Sequence, residues 1–310
     1  MKKLIIPIIL LISIKIAYSG DLYNISLKLK SLPSNTCDLC GCYIGIDNDN
    51  RNQLGIHYRV RVFNGTHEYE GIPANESSVR EKFNTFELTG RYFVKPKVQV
   101  QFTLPFSYNS VETGNYSGIG DLLIIAKYLI AGKTGIQNPA KYSDKLYFGG
   151  GFKLPTGGYN KVSEGEVEPH FQTGTGSFDF LMLGTYSGRI NNFGFSSDVV
   201  YKINTQNPNG YRFANRFNFS TTLLYLFHIG NIAAVTPNSG IYYEYADPDK
   251  LNNISDEGSG GKVLFVTGGL NISFRKIFIN FDYQKPVYQK FIGYQPENNF
   301  RFISSLSYLF

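Results

Sequence analysis

Residues 98–108, VQVQFTLPFSY, decide the fold class because apolar and polar side chains alternate along their whole length. Successive side chains of a β-strand point to opposite faces, so this stretch predicts a strand with one apolar and one polar face. It is longer than the roughly 5–6 residues of an average globular strand and matches the roughly 9–11 of a strand that crosses an outer membrane. The apolar face consists of Val98, Val100, Phe102, Leu104, Phe106 and Tyr108.

The same two-residue period recurs from residue 52 onward, where no helical period extends beyond about two turns. Short joints at 95–96, 191–193, 228–231 and 275–276 alternate with longer polar stretches, and 132–143 is long where a short joint is expected. This alternation is typical of a meander with short turns on one side and long loops on the other. The predicted strands are 52–63, 84–94, 97–108, 118–131, 144–155, 177–190, 194–204, 211–227, 232–245, 262–274, 277–287 and 299–310.

These strands predict an all-β protein, a transmembrane antiparallel up-and-down β-barrel of about 12 strands. Backbone polar groups in hydrocarbon must be satisfied internally, so such a sheet must close without an edge. The alternative is a soluble β-sandwich or jelly roll. The 25 Phe and 23 Tyr, many at strand ends, favour a barrel with aromatic girdles, although Trp is absent.

The start of the chain predicts an export signal. Met1-Lys2-Lys3 is followed by an apolar run over 4–14, and Ala17 and Ser19 are small residues at the −3 and −1 positions of a cleavage site. The predicted organisation is a signal peptide at 1–19, a periplasmic segment at 20–51 and an outer-membrane barrel at 52–310. An even strand number would place both termini in the periplasm.

Composition excludes several classes of protein. In 310 residues, 42% are hydrophobic and 17% charged, and no internal apolar run approaches the length of a membrane-spanning helix. Three of the 30 Lys and Arg residues precede the predicted cleavage point, and losing them halves the net charge of +6. The remaining charge is weak and scattered, so we expect no nucleic-acid partner.

The polar faces of the predicted strands carry most of the charged residues. Arg or Lys against lipid at the membrane midplane costs about 2–4 kcal/mol, so these side chains are expected to face the lumen. They predict either the lining of a narrow pore, in which the arginines could favour anionic solutes, or a set of ion pairs that plugs it. The predicted pore-lining residues are Arg59, Arg61, Glu87, Arg91, Asp121, Lys127, Lys153, Asp179, Arg189, Asp198, Lys202, Arg212 and Arg216, and the same face includes Asn238, Glu244, Asn271, Asn280, Asp282 and Arg301.

All three cysteines, Cys37, Cys40 and Cys42, lie within six residues of the predicted periplasmic segment. Two thiolates at C-x-x-C spacing can reach one ion, and Cys42 could supply a third ligand to copper or zinc. The alternative is a local disulfide between Cys37 and Cys40 in an oxidising compartment, which leaves one thiol over. No other cofactor is expected.

Three motifs resemble those of a known family. Gly118-Ile119-Gly120-Asp121-Leu122 opens a strand, Phe152-Lys153-Leu154-Pro155-Thr156-Gly157 closes one, and Gly174-Thr175-Gly176-Ser177-Phe178-Asp179 opens the next. In this order they resemble outer-membrane barrels grouped with the meta-pathway phenol-degradation transporters, over roughly residues 50–310. A CDxCGC-like cluster before the first strand also occurs in Bacteroidota barrels described as transporters. The resemblance implies passage of small hydrophobic or aromatic compounds. The glycines themselves have a structural interpretation, in loop edges and close strand contacts.

The last strand ends in Leu306, Tyr308 and Phe310, which resembles the terminal signature that the barrel assembly machinery reads. Outer-membrane lipid, that machinery and a small-molecule solute are therefore the expected partners.

The predicted function is a narrow outer-membrane pore for small solutes. Alternatives are a metal-handling barrel that uses the cysteines, a structural or adhesive barrel, and an outer-membrane lipid hydrolase. A hydrolase would need a serine–histidine pair, and none of the four histidines has one at a plausible strand spacing, so we expect no enzyme. The loop residues Glu164, Glu166, Glu168 and His170 could chelate a cation, but a solvated acidic loop explains them as well.

Overall fold

The structure, a computed structural model, describes residues 51–65, 79–111, 114–132, 142–162, 167–230, 232–293 and 295–310. The predicted signal peptide and the cysteine cluster lie outside the described residues. One short 3-10 turn, Pro169–Phe171, accompanies the strands of the described part. The strands are β1 (Gln53–Gly65), β2 (Val79–Lys95), β3 (Val98–Val111), β4 (Gly114–Ile119), β5 (Leu122–Gly132), β6 (Tyr142–Leu154), β7 (Asp179–Ile190), β8 (Phe193–Ile203), β9 (Tyr211–Arg212), β10 (Arg216–Tyr225), β11 (Phe227–Ile229), β12 (Ala233–Ala246), β13 (Lys250–Leu251), β14 (Ile254–Ser255), β15 (Gly261–Phe274), β16 (Ile277–Phe291) and β17 (Glu297–Leu309).

The long strands form one antiparallel sheet that closes on itself as a 12-stranded barrel. β1 pairs with β2 and with the last strand, β17, from Gln53 opposite Leu309 onward. β10 joins β8 to β12 and completes the circle. β4 and β5 are two parts of one wall strand, because both pair with β3, and β11 continues β10 against β12. The barrel prediction is therefore confirmed.

The stretch that decided the fold class has the predicted two faces. On β3, Gln99 and Gln101 are buried inside the barrel, whereas Phe102 and Phe106 are 36% and 48% exposed on the outside. An apolar outer surface and a polar interior are what a closed barrel in lipid requires. In the described residues no helix has the length and apolarity needed to cross a membrane.

The two ends of the barrel differ. Asn52 and Phe310 exchange two backbone hydrogen bonds of 3.0 Å, so both ends of the barrel chain lie at one rim, which we call the terminal end. The tight turns at 96–97, 191–192 and 275–276 lie at the same rim. β5 ends and β6 begins at this rim as well, and residues 133–141 between them are outside the described residues. The opposite rim, called the loop end, carries the longer connections.

One predicted strand, 211–227, is wrong in its first part. Arg212 lies in β9, which pairs with β13 in a separate three-stranded sheet at the loop end, and not on the barrel wall. The chain leaves the wall here because polar loop side chains take its backbone groups: Ala214 N donates to Asp249 Oδ1 at 2.7 Å. The wall strand resumes only at Arg216.

Candidate functional site

The predicted lumen residues other than Arg212 lie on the interior face of the barrel. Their lining of a conducting path stays a prediction. Asn238, Asn271, Asn280, Asp282 and Arg301 are buried there too, and Glu244 is half-buried. Of the predicted pore-lining set, Glu87, Arg91, Asp121, Lys127, Lys153, Asp179 and Asp198 are buried, and Arg59, Arg61, Arg189, Lys202 and Arg216 are half-buried.

Many of these charges form ion pairs with one another. Arg59 lies 2.5 Å from Glu87 on the neighbouring strand. Arg301 makes two contacts with Glu244, of 2.6 and 3.0 Å, across the lumen from β17 to β12. A buried charge is tolerated only when it is paired and hydrogen-bonded. For these residues the ion-pair interpretation describes the interior better than a row of free arginines.

Asp121 joins the three motifs that the sequence had separated. Its Oδ2 accepts hydrogen bonds from Lys153 Nζ at 2.8 Å and from the backbone and hydroxyl of Thr175 at 2.9 and 2.7 Å. Its Oδ1 accepts from Gly157 N at 3.0 Å. Lys153 also lies 2.7 Å from Asp179, which closes the network. Asp121 sits where β4 passes into β5, so the break in that wall strand serves to anchor the loop between β6 and β7.

Glycines permit this junction because three backbones meet there. A Cβ on Gly174 would lie 2.5 Å from the Gly157 carbonyl carbon and 2.7 Å from Asp121 Oδ1. A Cβ on Gly157 would lie 2.9 Å from Gly120. The motif glycines therefore have the structural role that the sequence indicated, which is close backbone approach.

Gly174→Ala is expected to displace the loop between β6 and β7 and to lower the free energy of unfolding by about 1–3 kcal/mol, because the added methyl overpacks the junction. Gly158→Ala is the matched control, since the nearest atom to its Cβ, Thr173 Oγ1, is 3.6 Å away. Thermal unfolding in detergent with limited proteolysis measures both effects. Equal behaviour of the two variants would contradict this account of the junction.

The loop between β6 and β7 folds inward over the barrel mouth; we call residues 155–178 the inward loop, of which 163–166 lie outside the described residues. Its 3-10 turn brings Phe171 against Phe83 and Tyr116, and Asn109 Nδ2 donates to the Phe171 carbonyl at 3.1 Å. The inward loop is thus held by the barrel wall as well as by Asp121.

His170 ties the inward loop to two other loops. Its Nε2 lies 2.7 Å from Asp249 Oδ2, which also accepts a hydrogen bond of 2.6 Å from the Tyr211 hydroxyl. Burial by itself would raise the pKa of Asp249, but the hydrogen bond and charge of His170, with the donors Tyr211 and Ala214, lower that pKa to about 2. These contacts therefore favour the carboxylate form of Asp249, and this cluster links three loops at the mouth.

Deeper in the lumen, an apolar cluster lies on the interior face of the barrel. Val200 and Phe265 are fully buried, and the Arg301 guanidinium lies 4.1 Å from the centre of the Phe265 ring. Sequence analysis missed this cluster because β5 and β7 are apolar on both faces, so alternation gives no sign of an apolar interior. The apolar cluster consists of Leu123, Ile125, Leu181, Leu183, Val200, Tyr242, Val263 and Phe265.

Two cavities lie between the apolar cluster and the loops. The first, of about 250 Å³, has Leu123 and Leu181 in its wall, and the second, of about 380 Å³, has Val263. His170 and Arg216 line both cavities, so the inward loop separates them. Residues of the apolar cluster therefore line both cavities.

A threonine, a histidine and a carboxylate lie together near the terminal end. His57 Nε2 is 3.2 Å from Thr89 Oγ1, and its Nδ1 is 3.9 Å from Glu87 Oε2, beyond hydrogen-bond range. The adjoining cavity is about 20 Å³, which holds about one water molecule. Thr89 lines this small cavity, whereas Glu87 lies in the wall of the first cavity.

The two predicted metal sites have different outcomes. Cys37, Cys40 and Cys42 lie outside the described residues, so their ligand role stays a prediction. Glu164 and Glu166 also lie outside, and Glu168 and His170 line the second cavity. Within the ranges that the structure describes, no three His, Cys, Asp or Glu side chains form a group able to hold a metal ion.

The sequence family described as "Putative MetA-pathway of phenol degradation" matches residues 60–291. The fold is similar to the crystal structure of an outer membrane channel from Pseudomonas putida F1, at 16% identity and TM-score 0.57, over 84% of this chain and 96% of that one. Weaker similarities are to the β-domain of the Bordetella autotransporter BrkA (8% identity, TM-score 0.47, 84% and 100% covered) and to the NanC porin (12%, 0.42, 83% and 98%). No curated protein sequence matches this chain. At these identities the structural similarity shows the fold alone.

Proposed function

We propose a function for this chain, which belongs to the family described as "Putative MetA-pathway of phenol degradation". In this proposal its barrel is an outer-membrane pore for small hydrophobic or aromatic solutes. The loop end faces the outside and both termini face the periplasm in this proposal, as short turns and long loops indicate for such barrels. Recognition of Leu306, Tyr308 and Phe310 by the assembly machinery belongs to the same proposal; all three side chains are exposed on the outer face.

The apolar cluster is the observation that carries the proposal. A solute enters the cavities at the loop end and must pass Phe265 and its neighbours to reach the terminal end. An ion or a strongly polar solute loses its hydration there without gaining partners, which costs several kcal/mol. An aromatic ring loses little hydration free energy there. Burying its apolar surface against the cluster is favourable by about 25 cal/mol per Å². The cluster therefore selects for apolar groups.

The ion pairs of the mouth support the same interpretation. Arg59, Lys153 and Arg301 are already matched by carboxylates, which lowers their attraction for a free anion. They hold the wall and the inward loop in place. A role without catalysis is part of the proposal, and it is supported by the 3.9 Å between His57 Nδ1 and Glu87 Oε2, which is too long for a hydrogen bond that would orient the imidazole.

Liposome swelling with solutes that cross lipid slowly tests the proposal. Phenyl glucoside is expected to enter about tenfold faster than a disaccharide of similar size, since burying a phenyl ring stabilises by about 1.5–3 kcal/mol. Leu181→Asn is expected to remove most of that preference, because it places an amide in the apolar cluster beside the first cavity.

Thr103→Asn is the control variant, since it changes a polar residue in the wall of the same cavity. Equal rates for the two solutes in the wild-type protein would reject the solute class. An absence of swelling with either solute would reject the pore.

A further inference from the structure

On the outer face of the barrel, three basic side chains lie on β15 and β16 near the loop end. Lys262 and Lys290 are direct cross-strand partners, and Lys285 lies nearer the membrane centre opposite Val266. Cross-strand partners share one face of a sheet, and Lys262 alternates with the inward-facing Val263, so both side chains of the pair face outward. We call Lys262, Lys285 and Lys290 the lysine patch.

The facing lysines Lys262 and Lys290 destabilise the sheet unless an anion neutralises their charge. Cross-strand partners have Cβ atoms about 4.5–5.5 Å apart, and like charges at that distance destabilise a sheet. The acids on neighbouring elements are Asp247, Asp256, Glu257 and Glu297. None of them makes an ion pair with the lysine patch within the described residues; Asp247 accepts a hydrogen bond from the Tyr245 hydroxyl at 3.0 Å. No other two neighbouring strands, within the described ranges, put like charges opposite each other on the outer face.

The surroundings of the lysine patch place it at the membrane interface. Tyr245 is the partner of Lys262 on β12, and the Tyr288 ring lies 5.9 Å from Lys262 Nζ. Tyr245, Tyr283 and Tyr288 are between 42% and 48% exposed on the lipid side. Tyrosines of this kind form the belt at the level of lipid headgroups. Val266, also on the outer face, is 45% exposed and can contact acyl chains.

We propose that the lysine patch binds the phosphate groups of a phosphorylated glycolipid of the outer leaflet, of the lipid A type. A phosphate between Lys262 and Lys290 would relieve their repulsion through charge-assisted hydrogen bonds. Lys285, whose Nζ donates to the Asn299 carbonyl at 2.9 Å, stands next to the acyl region and can reach a second polar group. The choice of leaflet rests on the orientation proposed above; the contact itself does not depend on the pore.

Binding of diphosphoryl lipid A to the detergent-folded barrel, measured by native mass spectrometry, tests the proposal. Each lysine near an anionic lipid surface contributes about 1 kcal/mol, or about fivefold in affinity. The Lys262→Gln/Lys290→Gln variant is therefore expected to bind about 25-fold more weakly than the wild type. Monophosphoryl lipid A is expected to bind with intermediate affinity, and zwitterionic phosphatidylethanolamine without dependence on the lysines.

Lys82→Gln is the matched control, because Lys82 is an exposed lysine of another strand that faces Val62 and Ser110 and no second lysine. Lipid A binding by the double variant within twofold of the wild type would overturn the proposal. So would inorganic phosphate that displaces lipid A at millimolar concentration, since the site would then serve a free anion. Retained liposome swelling shows that the variants are folded, and it separates failure of this proposal from failure of the pore.

Discussion

Phe265→Ala is expected to turn a barrel that barely conducts ions into one that conducts them. Phe265 is fully buried in the apolar cluster and supports the Arg301 guanidinium 4.1 Å from its ring centre. Removing the ring opens a void that connects with the cavities of the loop end, and water and ions can enter it because polar groups lie on both sides. Discrete openings in planar bilayers are expected where the wild type is nearly silent.

The same substitution is expected to lower the free energy of unfolding by about 3–5 kcal/mol, the usual cost of a buried Phe→Ala change. Phe281→Ala is the matched control, since Phe281 lies on the adjacent strand and is 42% exposed to lipid on the outer face. If Phe265→Ala and Phe281→Ala give the same conductance, the apolar cluster is not the barrier.

Asp121→Ala is expected to release the inward loop. The carboxylate accepts hydrogen bonds from Lys153, Gly157 and Thr175, and no other acceptor among the described residues bonds the backbone N–H groups of Gly157 and Thr175. Loss of one partner of a buried ion pair costs about 3–5 kcal/mol.

Limited proteolysis of the inward loop in folded protein measures the release, and heat-modifiable migration on gels shows that the barrel has formed. Asp144→Ala is the control, since Asp144 lies on β6 at the other end and its contact is with the exposed Tyr186 hydroxyl, at 3.3 Å. A protease pattern for Asp121→Ala that equals the wild type would show that His170 and the wall contacts hold the loop without Asp121.

Sequence alone predicted the candidate site only in part. The alternation of side chains along each strand correctly placed Asp121, Lys153 and Asp179 inside, because a charge that faces lipid near the membrane centre is costly. It was wrong for Arg212, since the end of that strand depends on Asp249, a residue of another loop. The sequence also could not indicate that the three family motifs meet in one junction around Asp121.

The strand number, the closed barrel and the two faces of its wall were determined by the sequence itself. Each follows from a local rule, the two-residue period of a strand, which a stretch such as 98–108 expresses without help from the rest of the chain. The apolar cluster and the folded mouth were decided only by the tertiary structure. Closing the barrel brings Leu123, Val200 and Phe265 into contact from distant strands, and no local pattern records which inward side chains will meet across a lumen.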